Sequence, residues 1–130
     1  MRRYGEIRIL VIDDDPFVLD LVNMMLRNKH QILTALNADE GLKTISRNSI
    51  DMILLDWMMP DMNGISMLDK LNSDDATKNI PVIFLSGKTS NEEVMQAVEH
   101  GAKGYITKPF KRQDLIGKIE RFERSITEKK

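Results

Sequence analysis

A chain of 130 residues, 42% hydrophobic and 30% charged, has the mass of one globular domain that buries roughly two-thirds of its unfolded surface without metal or disulfide support. The absence of cysteine excludes disulfide scaffolds, thiolate zinc sites and cysteine nucleophiles, and it suits a reducing compartment. A net charge of −1 leaves no electrostatic footprint for direct nucleic-acid or membrane-surface binding, and no apolar run approaches the ~20 residues of a membrane span. Met1-Arg2-Arg3 precedes only a short apolar run that three aspartates break, which is not a signal peptide, so the expected location is cytoplasmic.

Ile7 to Ile12 is short, β-branched and closed by acids, the pattern of a buried strand. Asp15-Pro16 predicts a helix start, with Asp15 as N-cap rather than metal ligand and Pro16 at the first helical position; Val18, Leu21, Val22 and Met25 follow at helical spacing. A second strand is predicted at about Ile32 to Leu36. The helix after it is capped by Asn37 and Glu40, with Leu42 and Ile45 facing inward.

The third strand, Ile50 to Leu55, again ends on an acid, and a loop through Pro60 and Gly64 leads to a helix marked by Ile65, Leu68 and Leu71. The polar stretch Asn72 to Asn79 reads as a loop before the fourth strand, Pro81 to Leu85. Ser90 with Glu93 forms a capping box for a helix carrying Val94, Ala97 and Val98 and stopping at Gly101. Tyr105 to Thr107 is a short fifth strand. The last helix aligns Leu115, Ile116, Ile119 and Phe122. One domain over 1–130 is expected, with its core at about 6–125 and a polar tail at 126–130.

Strict alternation of strand and helix predicts an α/β fold, a parallel sheet covered on both faces by right-handed crossovers. Strands apolar throughout agree, since both of their faces are then buried. Ligand sites in such sheets lie beyond the C-terminal strand ends. There the sequence places Asp13-Asp14, Asp56, Ser86 and Thr107-Lys108. Carboxylates crowded together repel one another unless a cation sits among them, and oxygen donors without His or Cys suit a hard ion, Mg²⁺ rather than Zn²⁺. A lysine amid these acids points to an anionic visitor, and phosphate fits. Lys108 and the metal would hold its oxygens, Ser86 would hydrogen-bond another, and a carboxylate could attack phosphorus in line.

The set Asp13-Asp14, Asp56-Trp57-Met58-Met59-Pro60-Asp61-Met62-Asn63-Gly64, Ser86-Gly87 and Lys108-Pro109-Phe110, in this order and over essentially the whole chain, resembles the response regulator receiver domains of two-component signalling. The resemblance implies a doubly wound, flavodoxin-like (βα)5 domain with strand order 2-1-3-4-5. It implies Asp56 as phospho-acceptor, Asp14 as a direct Mg²⁺ ligand, Asp13 as a ligand through water, and the backbone carbonyl of Met58 as the remaining protein ligand. Lys108 would contact the phosphoryl group ahead of a cis bond to Pro109. Ser86 and Tyr105 would form a switch pair that reshapes the face of helix four, strand five and helix five. Such a domain is a signalling module that catalyses only its own phosphorylation and dephosphorylation. Its implied partners are a histidine kinase or histidine phosphotransfer protein, together with a downstream protein or a second copy of itself. Two positions depart from the commoner pattern in character: Met58, two residues past the acceptor, and Lys88, two past Ser86.

Two other readings compete. Asp13-x-Asp15 after an apolar strand superficially fits the haloacid-dehalogenase phosphohydrolases, with Asp13 as the aspartyl nucleophile. Gly87-Lys88-Thr89 suggests a P-loop, but that loop needs a glycine where Val82 stands, inside a strand. His30 and His100 receive no catalytic role, and the nine methionines read as packing.

Overall fold

The computed structural model describes residues 5–87 and 90–128. Lys88 and Thr89 therefore lie outside the described residues, as do Met1 to Arg3 and positions 129–130. Five strand–helix units alternate: β1 (Arg8–Ile12), α1 (Pro16–Leu26), β2 (Gln31–Ala35), α2 (Ala38–Arg47), β3 (Met52–Asp56), α3 (Gly64–Asn72), β4 (Val82–Ser86), α4 (Asn91–Glu99), β5 (Gly104–Thr107) and α5 (Arg112–Glu128). All strand pairs are parallel and the order is β2-β1-β3-β4-β5, the doubly wound arrangement expected.

Side chains alternate across each strand, so the sheet divides the core in two. Leu10, Ile12, Ile53, Leu55, Val82 and Phe84 face one cluster with Met67, Leu68, Leu71 of α3 and Ala97 of α4. Ile9, Val11, Met52, Leu54, Ile83 and Leu85 face the other, with Val18, Leu19, Val22 and Leu26 of α1 and Leu115 and Ile119 of α5. The predicted caps form. Asp15 accepts the amide of Phe17, Asn37 that of Glu40, and Ser90 that of Glu93. Gly101, at φ +100, ends α4 in the left-handed conformation that favours glycine.

Four expectations are corrected. Strand bounds move by one or two residues, so Asp56 and Ser86 are the last residues of β3 and β4 rather than the first beyond them. On α1 the buried stripe is Val18, Leu19, Val22 and Leu26, with Leu21 and Met25 on its half-buried flank. On α4 only Ala97 is buried, and Val98, expected inward, is 61% exposed, because this short helix meets the sheet through its smallest apolar side chain. Residues 126–128, expected as tail, continue α5, and Ile126 packs against the α1–α5 cluster.

Candidate functional site

The register fixes which strand ends meet. Ile12 lies opposite Leu55, and Asp56 lies opposite Leu85, so Asp13 and Asp56 emerge on adjacent strands at the same rim. Ser86 lies opposite Thr107, and the Lys108 amide donates to the Ser86 carbonyl at 2.9 Å. The Lys108–Pro109 peptide is cis, as the resemblance implied.

Lys108 reaches back over the sheet. Its Nζ donates to Asp13 Oδ2 at 2.6 Å and to Asp56 Oδ1 at 3.3 Å, contacts that span 95 and 52 positions of sequence. Asp13 is wholly buried, and its Oδ1 accepts the Asp15 amide at 2.9 Å. Asp56 is 6% exposed, whereas Asp14 faces solvent. The three carboxylates each bring an oxygen within 4.8 Å of the others. Three acids against one ammonium leave negative charge in excess, and the donors are all oxygen. That set fits a hard divalent cation.

The crowding bears directly on Asp56. Burial, and then the charge of Asp13, push its carboxyl up to about 6 against the opposing pull of Lys108. Burial by itself pulls the Lys108 ammonium down, but its hydrogen bond to Asp13 and the charges of Asp13 and Asp56 outweigh that and hold it above its ordinary value.

The loop from Trp57 to Asn63 carries Met58, whose side chain is exposed, between the buried Trp57 and Met59. Gly64 closes this loop: its amide donates to the Trp57 carbonyl, and a Cβ there would lie 2.5 Å from Phe84 Cε1 and 2.9 Å from the Asp56 carbonyl. Only glycine permits that approach. Ser86 is buried at the end of β4. Tyr105 is half-buried on β5. Its ring centroid stands 6.3 Å from Trp57 and 6.4 Å from Phe84, and Trp57 and Phe84 are themselves 5.1 Å apart. An aromatic chain thus runs from the neighbour of Asp56 to the outer strand.

Two features escape sequence reasoning. Asp61 accepts from the Ala38 and Asp39 amides at 3.2 and 3.1 Å, tying the Trp57–Asn63 loop to α2; the only signal for it was an acid beside Pro60. His30, given no role from sequence, is buried. Its Nδ1 accepts the Ile7 amide at 3.2 Å and its Nε2 lies 3.0 Å from Glu123 Oε2, which binds the start of β1 to α5 at the end of the sheet opposite the aspartates. Burial, opposed by the Glu123 charge, lowers the His30 pKa. His100 sits at the α4 C-cap with Nδ1 2.7 Å from Asp69 Oδ1.

The dehalogenase pattern finds no support. Both oxygens of Asp13 are engaged by Lys108 and the Asp15 amide, and Asp15 caps α1. Asp13 is wholly buried, so no substrate reaches it as that chemistry requires.

A family model for the response regulator receiver domain matches residues 9–120. The chain is 34% identical over 121 residues to the phosphate regulon transcriptional regulatory protein PhoB of Escherichia coli, a match covering 92% of this chain and 53% of PhoB. It thus spans about half the length of PhoB. It is 33% identical to the chemotaxis protein CheY of Pseudomonas aeruginosa, covering 90% of this chain and 97% of CheY. The solved receiver domain of a Francisella response regulator superposes with a TM-score of 0.84 at 32% identity, covering 92% of this chain and 98% of that one.

Proposed function

The chain belongs to the response regulator receiver domain family of two-component signalling, and on that premise we propose that Asp56 accepts a phosphoryl group and releases it to water. The observation that carries this reading is Lys108 Nζ lying 2.6 Å from Asp13 and 3.3 Å from Asp56, which gathers three distant strand ends at one point. An Asp56 carboxylate oxygen attacks phosphorus in line: the new O–P bond forms as the P–N bond of a phosphohistidine breaks, and the electron pair leaves on the imidazole. Hydrolysis by water then returns the free carboxylate and inorganic phosphate.

Asp13, Asp14, Asp56 and the Met58 carbonyl would hold Mg²⁺, which supplies neutralisation of the acids and of the phosphoryl oxygens when bound. Lys108 contributes the fixed positive charge, and the Ser86 hydroxyl is the hydrogen-bond donor for a phosphoryl oxygen. Asp13, fully buried and bound to Lys108, would act on the metal through water, and the exposed Asp14 would bind it directly.

The switch pair is Ser86 and Tyr105. A groove of about 530 Å³, lined by Tyr105, Pro109, Gln113, Lys118 and Arg121 among others, runs along β5 and α5 beside the aromatic chain. Together with exposed Met95 and Val98 on α4 it forms the face that phosphorylation remodels for a downstream protein or a second copy of the chain. The phosphodonor is a histidine kinase or a histidine phosphotransfer protein. Among the described residues no helix is long and apolar enough to cross a membrane, and the cytoplasm, where such donors act, is the proposed location.

Trp57, buried beside Asp56, supplies the test. Titration with Mg²⁺ and then beryllofluoride is expected to change its fluorescence saturably in the wild type, with the beryllofluoride step lost in Asp56→Asn. Labelling from acetyl phosphate should give Mg²⁺-dependent, acid-stable and base-labile phosphate. Equal labelling of Asp56→Asn would overturn the assignment.

A further inference from the structure

We infer that Asp61 is a positioning residue for the metal-binding loop, holding the backbone at Met58 in place through α2. The inference rests on the receiver reading above and adds to it a residue that touches neither metal nor phosphate.

A backbone carbonyl has no rotamers, so its aim is set wholly by the chain on either side of it. Mg²⁺ demands near-ideal octahedral geometry, which makes a carbonyl ligand sensitive to small loop shifts. Besides the packing of Trp57 on Phe84, several contacts hold the Trp57–Asn63 loop. Gly64 N–H returns to the Trp57 carbonyl, and Met59 is buried in the core. Asn63 caps α3 by accepting the Ser66 amide at 2.8 Å. The two hydrogen bonds hold the loop to its own neighbours in sequence, β3 and α3, and Met59 seats it on the core. Asp61 ties it to a different element. Its two oxygens take the Ala38 and Asp39 amides at 3.2 and 3.1 Å.

That arrangement completes the start of α2. A helix leaves its first four amides without internal partners. Here Asp61 takes two and the Asn37 side chain takes a third, that of Glu40, at 2.8 Å, after which the helix's own bonding begins with Gly41 to the Asn37 carbonyl at 3.0 Å. An acid at this end is further favoured by the helix dipole. Asp61 is exposed, yet its carboxylate is committed away from the acidic cluster and into α2.

The same segment holds the other side of the site. The Asp13 amide donates to the Ala35 carbonyl at 3.1 Å, three residues before Ala38. The 35–39 segment is therefore a common frame to which both Asp13 and the Met58 loop are bonded. Removing Asp61 frees one side of that frame and leaves the other in place.

The experiment compares Asp61→Ala with Asn37→Ala. Both strip acceptors from the same helix start, but only the first unties the loop. Mg²⁺ affinity is read from Trp57 fluorescence, and phosphoryl uptake from acetyl phosphate is read at limiting and saturating Mg²⁺. Asp61→Ala is expected to weaken Mg²⁺ binding by roughly tenfold, the size typical for supports behind a metal ligand. Uptake at saturating Mg²⁺ should return to within about twofold of wild type, because uniform binding and not the chemistry is lost. Asn37→Ala should leave the affinity near wild type while lowering the melting temperature. If Asp61→Ala does not fold, Asp61→Asn, which keeps one acceptor, carries the same comparison with a smaller loss. Unchanged Mg²⁺ affinity in the Asp61 variant, or equal weakening in Asn37→Ala, overturns the inference alone. A wild-type protein that binds no Mg²⁺ overturns the functional reading and this inference with it.

Discussion

Replacing Asp56 by Asn should stabilise the metal-free protein. Burial and the Asp13 charge raise the Asp56 carboxyl from 3.8 in the unfolded chain to about 6 in the folded one. Between those values the folded state holds the proton more tightly, so ionisation opposes folding. The cost is absent below about pH 4, grows as pH rises and is fully present above about pH 6. A shift of about two units, at ~1.4 kcal/mol each, sets an upper bound of about 3 kcal/mol at pH 7.5. The asparagine carries no charge to desolvate, and the attraction of Lys108 at 3.3 Å is already contained in that net shift. A gain of about 1–3 kcal/mol is expected, or roughly 1–2 M in the urea midpoint. The assay is urea unfolding followed by circular dichroism, in a chelator, at pH 7.5 and pH 4. Added Mg²⁺ should then narrow the gap by stabilising the wild type through mass action. An Asp56→Asn protein no more stable than wild type at pH 7.5 would refute the electrostatic account, as would a gain that persists undiminished at pH 4.

Gly64→Ala forces a Cβ to within 2.9 Å of the Asp56 carbonyl and 2.5 Å of Phe84, and should cost about 1–3 kcal/mol, measured by thermal melting. His30 titrates with the opposite sign to Asp56: its lowered folded pKa means that stability present above pH 6.5 is lost as pH falls, because the unfolded chain takes up the proton first. The two effects mask each other in wild type. In Asp56→Asn the urea midpoint should fall on going from pH 7.5 to 5, and adding His30→Gln should flatten that slope; an unchanged slope would remove His30 as its source.

Much of the molecule is written in short stretches of sequence. Caps at Asp15, Asn37 and Ser90 and the stop at Gly101 depend on residues within a few positions of one another, so they are legible locally. Strand ends carrying Asp13, Asp56 and Lys108 could likewise be picked out, because alternation of strand and helix places every C-terminal strand end on one rim. The face a helix buries is harder to read. The stripe on α1 sits one position off the expected one, and Val98 turned outward, since each depends on what packs opposite.

The sequence by itself determined the order of elements, the parallel sheet and the residue types available at its rim, because periodicity, capping and turn chemistry act over a few residues. Tertiary structure alone decided that Lys108 crosses to Asp13, that Asp61 completes α2, and that His30 meets Glu123. Each joins groups far apart along the chain, and such a pairing leaves no periodic trace: which charged or polar side chain meets which is settled only once the layers have packed and set the distances between them.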